Sequence, residues 1–554
     1  MSKRANFAAL SFAGISFCLF IFSMFFNKTY FDTIAYDNIF LYEGKQLAAI
    51  LLLFAIGFLF LYLIRHTLSM QWCILFSFPC GICLWCFVSF LELLIGIPYG
   101  MVLTLLFLAG ILAILFAFHK RSSAFAQRIP FDKSSALFIF SLFTGAALLI
   151  SGGLVYSFVS YDSFFYFTNY GHTLAILGNF KDITGNNSFT LTNISQFLPV
   201  LNAYTSFWGL DQCYQMQAML TFTVAASFFY GLYCFVLKAQ QAASSPLLFS
   251  RLTQKQRAAL YAGIFTLLLI SSTSFLTVSA WVLANMYCMA YIFFLCLAAF
   301  LMSHLHIAQK EMPILIGICF SALTLLRKDG IIFAAFFFVA FCTIELLPKR
   351  KLAFLFLPAA VTELLWLFYV RVVLDAKVAQ ATFSSIANNK NIFFVLCVIA
   401  GAYLYLFVGH PLLYKISARF RYLTEYAMLF AGMFLLFLLS FFLKDANTII
   451  DNVDFVIRNM FRYPSSWGIS ALFFGILLAL SLVVRPGLDY LHFLWSGYAF
   501  LNLISYCIVD SKWFWLNWDD SYNRVLLQIV PVFVFLMAVK ILPLFQYDKP
   551  DHNS

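Results

Sequence analysis

The sequence predicts an all-α polytopic integral membrane protein with about sixteen transmembrane helices, within a range of thirteen to sixteen. Three observations carry this. The 554 residues are 63% hydrophobic and only 10% charged, with a mean hydropathy of +0.91, leaving too little polar surface for a soluble domain. Apolar runs of about 20 residues, the length that crosses about 30 Å of hydrocarbon, recur from end to end. They are too long and too uniformly apolar for the alternating strands of an outer-membrane barrel, so helices must satisfy their backbones.

In chain order the spans are expected near residues 7–26, 46–64, 71–91, 101–118, 134–158, 215–237, 259–278, 280–303, 312–326, 331–347, 352–371, 391–409, 422–443, 467–484, 488–508 and 524–543. The first, behind Lys3 and Arg4, lacks a small-residue cleavage site and is long enough to span, so it reads as a helix rather than a cleaved signal. The 13 cysteines are odd in number, and all but Cys213 lie in apolar segments, which argues against a disulfide framework. Cys80, Cys83 and Cys86 in "CGICLWC" have no fourth ligand nearby and read as small packing residues.

The basic residues set the expected orientation. With a cytoplasmic N-terminus, Arg65, the Lys120/Arg121/Arg128/Lys133 cluster, Lys238, Lys310, Lys349 to Lys351, Lys415 and Arg485 all fall on inner connections. In total 21 of the 34 Lys and Arg are then inside, against 7 of the 23 acidic residues. This matches the positive-inside rule and predicts a multi-pass protein of the cell membrane with both termini cytoplasmic. The net charge of +11 therefore reports topology, and nucleic acid is not an expected partner. No soluble domain is expected on either side.

On the outer side, the loop 159–214 opens with "YDSFFYFTNYGHTLAILGNF". Read as an interfacial helix, it places Asp162, Tyr166, Asn169 and Thr173 on one polar stripe, with Phe164, Phe165, Phe167 and Leu174 over the rest. Asp162 caps this helix, acts as a general base beside the bilayer, or does both. His172 lies beside the stripe with no partner at metal-ligand spacing, so no metal site is expected.

Further outer candidates are the connection "RKDG", with Arg327, Lys328 and Asp329 at the level of lipid phosphates, and "DDSYNRVLLQIVPVF". In the latter, Arg524 stands at the mouth of the last span below Asp519 and Asp520. An arginine fork suits a phosphate or pyrophosphate, whereas simple snorkelling of the cations to head groups is the plainer alternative. Arg458 and Arg462 are weaker candidates in a loop open to water. Glu363, in "VTELLWLFYVR", falls near mid-membrane, where a carboxylate is held as a protonated acid or an ion pair, or relays protons.

"SYDSFFYFTNYGHTLAILGNF" followed by "FLPVLNAYTSFWGLD" resembles the first large outer loop of the GT-C superfamily of glycosyltransferases, polytopic enzymes that use sugars carried on polyprenyl phosphate. The resemblance implies that Asp162 acts on the outer face. "SYNRVLL", Ser521 to Leu527, is similar to a late motif of bacterial relatives, which implies a donor-phosphate role for Arg524, with Lys328 and Arg327 as further phosphate-binding cations. Tyr166, Asn169, His172, Asp519 and Asp520 are then possible substrate contacts.

The likeness covers about residues 134–543, ending before a cytoplasmic tail at 544–554. The family usually has this loop after its first span, whereas here four spans precede the one leading to Asp162, so residues 1–118 read as an added N-terminal bundle. The implied function is inverting transfer of a hexose or pentose from a polyprenyl-phosphate sugar to a glycan or lipid-linked acceptor in the cell envelope. Such a reaction needs no cofactor and no divalent metal. A multi-pass transporter or flippase for a lipid-linked saccharide is the alternative, since many spans and a buried Glu363 suit it equally. A polymerase or ligase of surface polysaccharide would share the substrate class on another fold.

Overall fold

A computed structural model describes residues 39–120, 169–180, 196–209, 214–242, 252–272, 284–327, 329–372, 390–417, 422–443, 446–461, 469–484, 490–509 and 525–545. Every regular element among them is helical. The chain runs through α1 (Ile39–Ile64), α2 (Met70–Leu94), α3 (Met101–Lys120), α4 (Asn169–Leu177), α5 (Phe197–Phe207), α6 (Tyr214–Ala242) and α7 (Gln254–Ile270). It continues with α8 (Ala284–Phe300), α9 (Met312–Leu326), α10 (Gly330–Thr343), α11 (Lys349–Val372), α12 (Lys390–Leu404) and α13 (His410–Ser417). The last helices are α14 (Tyr422–Leu443), α15 (Ala446–Phe461), α16 (Ile469–Val484), α17 (Tyr490–Val509) and α18 (Val530–Ile541).

The expected spans near 7–26 and 134–158 lie outside the described residues, and each of the others overlaps one of these helices. Among the described residues, seven helical stretches are long and apolar enough by themselves to cross a membrane, and five shorter apolar helices accompany them. The chain therefore has the build of a membrane-embedded protein.

Burial separates a centre from a periphery. Within the bundle, 94% of the span Ala284–Leu305 and 83% of Met70–Leu94 are enclosed, against 11% of Met101–Phe118. Leu106, Phe118 and Val102 of α3 are exposed, an arrangement that hydrocarbon tolerates and water does not. The α1–α2 pair closes on two glycines. A Cβ at Gly57 would lie 1.8 Å from the Ser77 carbonyl oxygen, and one at Gly81 would lie 1.9 Å from that of Leu53, so the backbones touch as small-residue helix pairs do. Tyr291 of α8 then donates its hydroxyl hydrogen to the Pro79 carbonyl at 2.8 Å, tying the two central helices. Cys83 and Cys86 donate to the carbonyls of Ile318 and Phe197, at 3.7 and 3.8 Å, as buried packing residues.

Tertiary contacts join connections that the charge pattern assigns to the same side. At the end assigned to the inner face, the Glu311 carboxylate accepts from the backbone amides of His66, Thr67 and Leu68 and from the Thr67 hydroxyl, which is 3.0 Å away. Lys238 donates to the His304 carbonyl at 2.9 Å. After a π turn at Tyr405–Gly409, His410 lies 2.8 Å from Glu425 and 3.5 Å from Glu345. At the end assigned to the outer face, the Tyr99 amide donates to the Gly178 carbonyl at 2.7 Å and the Tyr204 hydroxyl to that of Ala49 at 2.6 Å. These bonds seat the end of α4 on the α2–α3 connection and α5 on α1.

Candidate functional site

The site grows from the short turn between α9 and α10. Arg327 takes an extended backbone, with φ −145° and ψ 146°, and ends α9. Asp329 stands in the N-cap position of α10, and Gly330 is its first residue. The turn demands glycine there, because a Cβ would sit 1.9 Å from the Leu323 carbonyl oxygen and 3.0 Å from the Thr324 Cα. Both contacts are backbone, so no side-chain movement relieves them.

An aspartate at an N-cap ordinarily accepts from the first free amides of its helix. Asp329 makes no such bond. Its two oxygens instead accept from Arg327, Oδ1 from Nε at 2.7 Å and Oδ2 from Nη2 at 2.9 Å. The result is a bidentate pair in which each side chain keeps 28% of its surface exposed. Arg327 Nη1 reaches across to Asn285 Oδ1, 2.9 Å away at the start of α8. The Phe333 ring centroid lies 6.0 Å from the guanidinium carbon.

Asn285 is shared. Its Oδ1 also accepts from Gln528 Nε2 at 2.7 Å, and Gln528 Oε1 accepts from the Tyr498 hydroxyl at 2.5 Å. Gln528 and Tyr498 are fully buried. One polar chain therefore links the α9–α10 turn, the head of α8, α17, and the 3-10 turn Leu527–Ile529 that leads into α18. The helices of the expected outer loop reach the same region, because Phe197 at the start of α5 packs edge-on against Tyr287 and Tyr291 of α8, at 5.7 and 6.0 Å between centroids.

Two buried polar groups nearby keep unused capacity. Gln196, the N-cap residue of α5, is 2% exposed with neither amide atom bonded. Glu363 on α11 is buried, and its Oε2 has no hydrogen-bond partner. Of the alternatives open from the sequence, the ion pair is not formed among the described residues.

Of the residues singled out from the sequence, Arg327 and Asp329 fall in this network. Asn169 is exposed at the start of α4 and accepts the Thr173 hydroxyl on its carbonyl at 2.8 Å. His172 turns toward α5, with Nδ1 2.8 Å from Ser206 Oγ. Asp162, Tyr166, Lys328, Asp519, Asp520 and Arg524 lie outside the described residues. Sequence reasoning missed Asn285, Gln528 and Tyr498. Its signal for the first two was a lone amide at the end of an apolar run, costly in lipid unless bonded. No family model, curated protein or solved structure matches this chain.

Proposed function

We propose that this chain is a glycosyltransferase of the cell membrane, with a GT-C-like bundle and both termini cytoplasmic, that moves a sugar from a polyprenyl-phosphate donor to a glycan or lipid-linked acceptor at the outer face. The observation that supports it is the shared use of Asn285 by Arg327 and by Gln528. Gln528 lies four residues beyond Arg524. The two segments expected to supply cations to the donor phosphate thus meet at one point, beside the outer-loop helices.

In this reading Asp162 takes the proton from the acceptor hydroxyl as that oxygen attacks the anomeric carbon. The bond from that carbon to the phosphate oxygen breaks, and Arg524 with Lys328 and Arg327 stabilises the charge left on the phosphate. Direct displacement inverts the anomeric centre. The cations do the electrostatic work without a metal.

The test is transfer by protein reconstituted in nanodiscs with a polyprenyl-phosphate hexose, followed as release of polyprenyl phosphate. Asp162→Asn should abolish release while leaving expression and elution unchanged. Full activity in that variant removes Asp162 from the mechanism. A flippase for lipid-linked saccharide is the second reading, favoured by the buried and partly unpartnered Glu363. It calls for movement of a labelled lipid-linked saccharide between leaflets with no acceptor present.

A further inference from the structure

We infer that Glu345, His410 and Glu425 form a pH-operated latch at the end assigned to the inner face: the charged imidazole ties the C-terminus of α10 to the start of α13 and to α14, and loss of its proton releases the α10 side alone. The inference stands apart from the sugar-transfer reading.

The acid that opens the α10–α11 connection is ill suited to its place by local rules. Helix α10 ends in a Schellman turn, with the Glu345 amide donating to the Cys342 carbonyl at 3.0 Å and the Leu346 amide to that of Phe341 at 3.1 Å. The turn puts Glu345 in the left-handed region, at φ 50°, where glycine is the ordinary choice because a Cβ crowds the following carbonyl. An acidic side chain is also disfavoured at a helix C-terminus, whose last carbonyls carry partial negative charge. Two local preferences are overridden at one position. What Glu345 gains there is a cationic partner, since its Oε1 lies 3.5 Å from His410 Nε2.

His410 is held from its other side as well. Its Nδ1 is 2.8 Å from Glu425 Oε1, which also accepts from the Tyr405 hydroxyl, and Thr343 Oγ1 stands 2.7 Å from that hydroxyl. Each ring nitrogen therefore faces a carboxylate. Only imidazolium satisfies both, because a neutral ring carries one N–H and would turn a lone pair toward one of the two acids.

The two sides differ in what they can release. Glu425 is wholly buried and braced by Tyr405, whereas the Glu345 side chain is 52% exposed and its contact is the longer one. The proton that leaves is thus the one on Nε2, and the bond from Nδ1 to Glu425 remains. The tie to Glu345 is complete while the ring is charged and is lost as pH rises through its titration. The other groups facing the ring are Lys349 at the start of α11, Tyr405 of the π turn and Tyr414 of α13, with Cys342 of α10 beside Glu425. Release frees the last turn of the helix whose first residue, Gly330, follows the Arg327–Asp329 turn.

The experiment is hydrogen–deuterium exchange read by mass spectrometry, on the full chain in nanodiscs at about pH 6 and about pH 9, either side of the ordinary histidine range. Native protein and Glu345→Gln are compared at each pH, corrected for the intrinsic rate of each sequence. At about pH 6 the Glu345 and Leu346 amides should exchange about fivefold more slowly in the native chain, and at about pH 9 the two proteins should agree within about twofold. His410→Gln should match Glu345→Gln at about pH 6.

A gap of equal size at both pH values shows a tie that does not titrate, and no gap at either shows no tie; each result overturns the latch. Native-like protection in His410→Gln assigns Glu345 to Lys349 and overturns it too. Glu345 is half exposed, so its variant should fold. If His410→Gln does not fold, the gap between Glu345 and Glu345→Gln is measured in a Lys349→Gln background, where it survives if His410 is the partner and vanishes if Lys349 is.

Discussion

The two ends of α9 each carry a buried-side acid, and they use it in opposite ways. Before the helix, Glu311 is wholly buried and gives its carboxylate to backbone amides of the α1–α2 connection. After it, the Asp329 side chain makes no cap bond to its helix and holds a side-chain cation instead. Backbone donors cannot rotate away or be replaced by a ligand, so the Glu311 end is a fixed joint. Arg327 and Asp329 are joined by two side chains that can both rotate, so this end can exchange partners. One helix thus connects an immovable clasp to an exchangeable one.

The largest expected effect comes from breaking the exchangeable end through its backbone. Gly330→Ala places a methyl group 1.9 Å from the Leu323 carbonyl, a clash with no flexible atom to yield, and overpacking of this kind costs about 3 kcal/mol or more. Little monodisperse protein should be recovered by fluorescence-detected size exclusion. Native-like yield would show that the α9–α10 turn is looser than described.

Next is the fixed joint. Glu311→Gln keeps the shape but puts an amide nitrogen where oxygens accept four donors, and about 1–3 kcal/mol is lost when a buried donor goes unmet. Burial alone would raise the Glu311 carboxyl, but the Thr67 and His66 amides with the Thr67 hydroxyl outweigh it and hold the carboxyl below its ordinary value. A lowered carboxyl stabilises the fold fully above the ordinary carboxylate range and loses that contribution as pH falls through the lowered value. The thermal-stability gap between native and Glu311→Gln protein should therefore be widest near neutral pH and close in acid. A gap that widens in acid would reverse the assignment.

The smallest effect sharpens the comparison from outside both ends. Glu363 has no bonded partner on Oε2 to lose, so Glu363→Gln should change stability by under about 1 kcal/mol and leave sugar transfer intact. Loss of leaflet-to-leaflet movement of a lipid-linked saccharide in that variant would instead support the flippase.

How much of this was legible depends on the kind of signal. The limits of α9 and α14, residues 312–326 and 422–443, coincide with the apolar runs because polar residues bracket each. The pairing of connections by side follows from the same pattern. Arg327 was readable as a cation at membrane-surface level, yet its bond to Asn285 spans 42 positions and that of Gln528 to Asn285 spans 243. No periodicity encodes such partners. Asp329 was legible as a turn residue, while its choice of guanidinium over helix cap is set by the geometry of Arg327 two residues earlier. The polar stripe predicted for the outer loop meets the described residues only at Asn169 and beyond, where Thr173 follows it and His172 turns onto Ser206.

The lengths of α9 and α10 have a consequence for where chemistry can happen. With 15 and 14 residues, each rises only about 22 Å, short of the roughly 30 Å of hydrocarbon. A hairpin this short brings its turn down into the leaflet or draws the leaflet down to it. In either case Arg327 stands near the phosphates of an indented leaflet, and under the proposed function a lipid-tailed donor would reach it sideways without leaving the bilayer.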